Sequence, residues 1–288
     1  MSSEAKNSST VQAGNLYVVA TPIGNMGDLT ARARDVLSHV DLIAAEDTRR
    51  TAGMLTQLGV RTELISCHEH NETERAEQIA AKLEQGASVA LVSDAGTPLM
   101  SDPGYRLVKA VADAGLPVIP VPGACAAVAA LSVAGLPSDR FHFEGFLPAA
   151  TKARQARLAQ LSGKSESLIF YVAVHKLDAT LADAVQAFGG ERPAMLAREI
   201  TKLYETFYRG NLDELQTQVD ADSGGHKGEF TLVISGQRDN DAGNEDDVRA
   251  VLMVLLEELP ASQAASLAAK ITGRKKREVY DLAMQLKS

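Results

Sequence analysis

The chain has 288 residues, 45% of them hydrophobic and 23% charged, with a net charge of −8 and a sequence pI near 5.3. That composition suits one large or two medium globular units and excludes a wholly disordered chain, a collagen-like fibre and a disulfide-stapled mini-protein. The acidic total removes any global field drawing the chain to nucleic acid or membrane. Two cysteines, Cys67 and Cys125, are too few for a disulfide framework and suit a reducing cytoplasm.

Residues 1–14 are polar, lack the apolar core of a signal peptide and read as a disordered tail. Short apolar runs then alternate with amphipathic stretches. Strands are predicted at 16–20, 42–45, 63–66, 89–92 and 117–121, with helices at 29–39, 49–58, 72–85 and 105–114 between them. The uncharged stretch Val118 to Leu136 is broken by Pro120 and Pro122. The rest is shorter than the ~20 apolar residues of a membrane span, so it reads as a strand followed by a small-residue helix. Regular alternation over 15–135 argues for a mostly parallel α/β sheet covered on both faces. Over 136–237 the pattern becomes mixed. Strands are expected at 141–145, 168–173, 194–199, 205–209 and 230–235, and only two helices, at 151–161 and 177–188. The segment 238–288 is expected to hold a polar acidic linker (238–247) and helices at 247–259, 261–271 and 274–286. Together these form a helix-turn-helix-like module.

Ligands of open α/β sheets bind beyond the carboxyl ends of the strands. Four loops rich in Gly, Pro and small polar residues follow strands here, at 21–25, 46–49, 93–104 and 122–127, and are expected to share one rim. Several familiar signatures are missing or false. No GxGxxG follows a strand, and Gly163-Lys164-Ser165 imitates a phosphate loop but has Leu158 at the first glycine position. Cys67-His68-Glu69-His70 holds four zinc-ligand types, yet neighbours in an extended segment point to opposite sides, so no metal site is expected. Cys125 sits among alanines and reads as a small residue allowing close packing.

Long motifs in order carry a resemblance. Thr21–Asn25 (TPIGN), Asp41–Arg49 (DLIAAEDTR), Leu91–Gly104 (LVSDAGTPLMSDPG), Ala134–Pro148, Ala197–Lys202 and Lys227–Glu229 match in sequence order. The chain resembles the ribosomal RNA small-subunit methyltransferase I family, ribose 2′-O-methyltransferases of a decoding-centre cytidine in the tetrapyrrole-methylase-like superfamily. The resemblance implies two α/β domains with S-adenosylmethionine in the cleft between them, a homodimer, and a small C-terminal helical module that helps hold 16S rRNA in the small ribosomal subunit. Carried over by motif, Asp94, Ala95, Gly96, Thr97, Met100, Cys125, Ala126, Tyr171, Val172, Ala197 and Arg198 are the expected cofactor contacts. Two positions depart from the family pattern. Ala124 replaces a proline, and Val172 replaces an acid, so that position carries neither a base nor a hydrogen-bond acceptor.

A ribose hydroxyl is a weak acid, so positioning assisted by a base or an electrostatic stabiliser is the expected chemistry. Glu46, Asp47, Glu199 and Lys202 are the rim candidates. For Glu46, Asp47 and Arg49 the competing reading is helix capping with a local ion pair. RNA contact is expected at Asn25 and Arg49 and at two basic stretches. The first has six cations (140, 152, 154, 157, 164, 176) against two acids, with Arg154 and Arg157 at its centre. The second has six (270, 274, 275, 276, 277, 287) against two, around Arg274, Lys275, Lys276 and Arg277. Two rival readings remain at this point. One is a tetrapyrrole methyltransferase of the same fold. The other is a metabolite-sensing helix-turn-helix DNA binder.

Overall fold

A computed structural model describes residues 11–237 and 245–287. Most of the predicted tail and of the predicted linker lie outside the described residues.

Five strands, β1 (Leu16–Val19), β2 (Leu42–Ala45), β3 (Glu63–Ser66), β4 (Val89–Val92) and β5 (Val118–Val121), form a wholly parallel sheet in the order β3-β2-β4-β1-β5. The three central strands are almost continuously apolar and buried, as strands covered on both faces must be. Pro120 cannot donate to a ladder and lies accordingly on edge strand β5, opposite Val18. Alternate residues feed two cores. Tyr17, Val19 and Ile43 pack with Val36, Leu37 and Leu55 from α1 (Ala31–His39) and α2 (Thr48–Leu58). Leu16 and Leu91 pack on the other face with Ile79, Leu83, Leu107 and Val111 from α3 (Glu72–Glu84) and α4 (Tyr105–Asp113). The strand order reverses between β4 and β1, which creates a crevice at their carboxyl ends.

The second sheet contains β6 (Phe141–Phe146), β7 (Ser167–Val172), β8 (Pro193–Arg198), β9 (Thr206–Asn211) and β10 (Phe230–Ile234) in the order β6-β7-β10-β8-β9. It is antiparallel except for β6 with β7. Ile169, Met195, Ala197 and Val233 pack against α5 (Ala126–Val133), the small-residue helix after β5. On the other face, Phe170, Leu196 and Leu232 meet α6 (Thr151–Leu161), α7 (Leu177–Phe188) and α8 (Leu212–Ala221). The sequence reading expected two helices on this sheet, and α8 is the third. Its signal was present: Asn211 accepts from the Glu214 amide at 2.9 Å while the Glu214 carboxylate accepts from the Asn211 amide at 3.0 Å, a reciprocal cap written as Asn-x-x-Glu.

At the carboxyl end, α9 (Glu245–Glu258), α10 (Ala261–Thr272) and α11 (Lys276–Lys287) share a core of Val248, Leu252, Ala264, Ala268, Val279 and Ala283. Gly273 ends α10 in the left-handed conformation (φ 72°). The last helix starts at Lys276 instead of the expected residue 274, so Arg274 and Lys275 belong to the turn. Among the described residues no helix is long and apolar enough to cross a membrane.

Candidate active site

The four loops of the parallel sheet meet at its carboxyl rim and are laced by hydrogen bonds. Thr21 and Gly96 exchange backbone bonds of 2.8 and 3.1 Å, and the Thr97 hydroxyl donates to the Ala124 carbonyl at 3.0 Å. The Glu46 carboxylate accepts from the Asp94 amide at 3.2 Å, while Asp94 accepts from the Asp47 amide at 3.1 Å and pairs with Arg50 at 3.0 Å. Gly96 adopts φ +81°, and a Cβ there would stand 3.1 Å from Ile23, so glycine is required by conformation and by contact.

Among the described residues, every non-glycine residue with positive φ falls in one of two loops. Leu99 (72°) and Ser101 (70°) flank Met100, and Glu199 (52°) and Thr201 (69°) flank Ile200. Each such conformation costs roughly 1–3 kcal/mol and persists only where its surroundings over-determine it. Met100 and Ile200, the residues between, both face a cavity of about 410 Å³ that opens between the two sheets. That is the size of a typical small-molecule site.

One wall of the cavity carries Ile23, Ala95, Gly96, Thr97, Met100, Ser101, Asp102, Cys125 and Ala126. The other carries Phe146, Tyr171–His175, Ile200 and Gly228–Thr231. The Tyr171 ring stands edge-on to Phe143 and Phe146, at 5.0 and 5.6 Å between centroids. Burial pushes its hydroxyl up to about 12, with the neighbouring Cys125 thiol adding to the shift. Asp102 is pushed up to about 6, mainly by burial. The Ser93 hydroxyl works against that shift, and the charges of Glu46 and Asp94 add to it.

Of the expected cofactor contacts, Ala95, Gly96, Thr97, Met100, Cys125, Ala126, Tyr171 and Val172 line this cavity. Asp94 stands behind the wall in the Glu46–Asp47–Arg50 network. Ala197 is buried beneath α5. Its neighbour Arg198 faces the opposite side of β8, donating to the Lys227 carbonyl at 2.7 Å and lying 3.6 Å from Asp222, so its guanidinium is directed away from the cavity.

Among the rim candidates, Asp47 caps α2 and grips Arg49, which holds its carboxyl far below the usual carboxylate range. The capping reading therefore describes both residues. Burial raises Glu46, with the bond from the Asp94 amide opposing. Lys202 donates to Glu199 and to Glu229, each at 2.9 Å. Its stem packs against Gly24 so closely that a Cβ there would collide with it.

One expected RNA contact, Arg154, is corrected by the packing. Arg154 is 3% exposed and bonds Asp183 at 2.6 Å inside the α6–α7 interface, so it cannot reach a phosphate. Arg157 stays partly exposed and is paired to Glu144 through two bonds of 2.6 and 2.7 Å. Asn25 caps a 3₁₀ turn through the Gly27 amide. Lys275 in the turn and Lys276 and Arg277 in the first turn of α11 are exposed, and Arg274 stands near Glu278. Cys67 is buried, which pushes its thiol up to about 11.

The sequence reading missed Asp102, Phe146, His175 and Glu229 on the cavity walls. Asp102 and Glu229 lie inside motifs it had quoted, SDPG and KGE, and their charge within glycine-rich loops was the available signal.

The walls suit an adenosine bearing an amino acid and a positively charged sulfur. They are mostly apolar, they offer the Asp102 carboxyl, and α5 opens at Cys125 with no side-chain cap. The profile of the Tetrapyrrole (Corrin/Porphyrin) Methylases matches residues 15–216, and that of the RsmI C-terminal HTH domain matches residues 242–287. Among solved structures, methyltransferase CobJ superposes with a TM-score of 0.57 at 18% identity, over 78% of this chain and 97% of that one. Uroporphyrin-III-C-methyltransferase from Thermus thermophilus gives 0.53 at 22%, over 77% and 94%. Fold and cleft thus define a tetrapyrrole-methylase-type methyltransferase, whose methyl donor is S-adenosylmethionine. Ribosomal RNA small subunit methyltransferase I of Xylella fastidiosa (strain Temecula1 / ATCC 700964) is 50% identical over 93% of this chain and 98% of its own length. The protein of the same name from Escherichia coli O157:H7 is 47% identical over 94% and 95%. The chain belongs to the ribosomal RNA small subunit methyltransferase I family.

Proposed function

We propose that this chain methylates the ribose 2′-hydroxyl of a decoding-centre cytidine in 16S rRNA, on the small ribosomal subunit, as a homodimer. The observation that carries this reading is the near full-length similarity to the small-subunit methyltransferases, which includes the separate match over the C-terminal helices. The turn before α11 and the start of that helix present Lys275, Lys276 and Arg277 to solvent, a positive patch suited to phosphates on an otherwise acidic chain.

When bound, S-adenosylmethionine supplies a methyl group on a positive sulfur, open to in-line displacement by an oxygen. The chain's own residues position and neutralise. The Ala95–Thr97 segment, Met100, Cys125 and Ala126 hold the donor from one wall, and Tyr171 and Val172 from the other. Among the four rim candidates, Asp47 is committed to Arg49. Burial pushes Glu199 up, but the Lys202 ammonium and the Glu229 amide outweigh it and draw its carboxyl down, making it a poor base. Burial likewise opposes the charge on Lys202, yet the two carboxylates around it raise its affinity for the proton. Lys202 therefore stays an ammonium beside the cavity-lining Glu229, suited to stabilise the ribose oxygen as an alkoxide once its proton has passed to solvent; the O–CH3 bond then forms as the C–S bond breaks. Orientation of the hydroxyl supplies the remainder. Val172 fits this division of labour, since its role is to wall the cavity and not to take a proton.

The test is a map of ribose methylation on small subunits from cells with and without the protein. One decoding-centre cytidine should lose its 2′-O-methyl group, and purified protein should restore it. An unchanged map, or methylation of a porphyrinoid instead, overturns the assignment.

A further inference from the structure

We propose that Asp102 is the residue by which the cavity distinguishes the positively charged methyl donor from its neutral thioether product, strengthening the hold on the first and not on the second. The proposal rests on the assignment of the cavity to S-adenosylmethionine.

The geometry places a carboxyl on the cavity wall and keeps it there. Asp102 follows Leu99 and Ser101, the two left-handed residues that fold the loop back on itself, with the Ser101 amide bonded to the Leu99 carbonyl at 3.1 Å. Two residues further on, the buried Glu72 carboxylate accepts from the amides of Gly104 at 3.0 Å and Arg106 at 2.6 Å, which pins the far end of the loop. No lysine or arginine among the described residues forms an ion pair with Asp102. Its neighbours are the Ser93 hydroxyl and the carboxyls of Glu46 and Asp94, and the one cation in that group, Arg50, is bonded to Asp94. Tyr171, Cys125, His175 and Glu229 face the same cavity, and Glu229 is bonded to Lys202.

A half-buried carboxyl among like charges is hard to ionise, which is why its proton is held up to about 6. A cation entering the cavity reverses that balance and favours the carboxylate. A neutral thioether of the same shape leaves it unchanged. By linkage, the donor should bind more tightly as pH rises through about 6, because binding then requires no proton to be released. The product gains no comparable advantage. Each unit by which the donor lowers the Asp102 pKa appears as about a tenfold change in affinity across the window.

Calorimetry on the full chain tests this with S-adenosylmethionine and S-adenosylhomocysteine from pH 5 to pH 7. The positive sulfur acidifies the donor's own ammonium, so the ratio is compared at pH 7 and below, where both amino groups keep their protons. The donor-to-product ratio should rise several-fold, to a ceiling of about tenfold, between pH 5 and pH 7, the limit for one group whose proton is held up to about 6. In Asp102→Asn the ratio should be flat, with product binding retained. His175 would also repel a cation when protonated, so His175→Gln must keep the rise. A flat ratio in the natural protein, a rise that survives Asp102→Asn, or a rise abolished by His175→Gln overturns the proposal. If Asp102→Asn binds neither ligand, the natural protein and His175→Gln decide alone. Gly96→Val separates this proposal from the cavity assignment. Unchanged affinity for both ligands in that variant rejects the cavity as their site. Reduced affinities with a pH-independent ratio in the natural protein reject only the role of Asp102.

Discussion

The two strained loops of the cleft are built alike and held differently. Each places two left-handed, non-glycine residues around one apolar residue that faces the cavity, Met100 on one side and Ile200 on the other. The 97–104 loop is clamped from beneath by a buried carboxylate, Glu72, which also serves the first turn of α4, where N-cap Gly104 has no side chain to offer. The 199–205 loop is held by an ion-paired lysine at the surface, and its tip carries Leu203 at 88% and Tyr204 at 66% exposure. Buried charge-assisted hydrogen bonds make a rigid wall, whereas partly solvated ion pairs make a weaker restraint. The first loop is therefore the rigidly held wall of the cavity, and the second the more weakly held one.

The sharpest way to break this contrast is Glu72→Ala, which orphans the Gly104 and Arg106 amides together. A loss of about 3 kcal/mol in unfolding free energy is expected, from hydrogen bonds to a charged acceptor in a buried place. Denaturant titration would measure it, and a loss under 1 kcal/mol would remove Glu72 as the clamp. Lys202→Met should instead spare stability and cofactor affinity while lowering the single-turnover methylation rate by about 10²-fold, the usual effect of deleting one donor to a developing oxyanion. A variant with weakened cofactor binding and an unchanged rate would move Lys202 from stabilising the ribose oxygen to the cofactor wall.

Smaller effects sharpen the picture. Val172→Glu restores the acid usual in the family, and the two proteins should methylate purified subunits at rates within about tenfold of each other. A true general base is worth ~10²–10⁴-fold, so a gain of two decades in the Glu variant would identify the natural chain as an impaired member. The smallest change is expected from Thr201→Gly. Glycine relieves the left-handed strain but loosens the unfolded chain, and the two contributions of about 1 kcal/mol each largely cancel. A stabilisation well above that, read from thermal unfolding, would mean the loop stores more strain than its surface ion pairs suggest.

Much of this architecture was legible in the chain itself. Continuous apolar runs of four residues between amphipathic stretches specify buried parallel strands, because only a strand covered on both faces tolerates no polar residue. Glycine and proline after strands specified the rim loops for an equally local reason, the backbone conformations and close approaches that other residues resist. The helix α8 was also legible, through Asn211 and Glu214, although its charged surface hid it from an apolar-periodicity reading.

What only the tertiary structure decided is which charges are partners. Arg154 reads as one more cation in a basic stretch until α7 brings Asp183, 29 residues away, to 2.6 Å and closes both into the interior. Arg198 sits one residue from Ala197, and strand alternation sends the two to opposite faces. The start of α4 lacks a local cap, and its acceptor arrives from Glu72, 32 residues earlier. Asp102 is an ordinary loop aspartate in the sequence and becomes a reluctant acid only where the fold buries it, with Glu46 and Asp94 adding to the effect from two strand ends. Local patterns determine where the backbone turns and which faces are apolar, since those depend on neighbours in the chain. The protonation and pairing of a charge depend on solvent and on distant groups, and those exist only once the chain has folded.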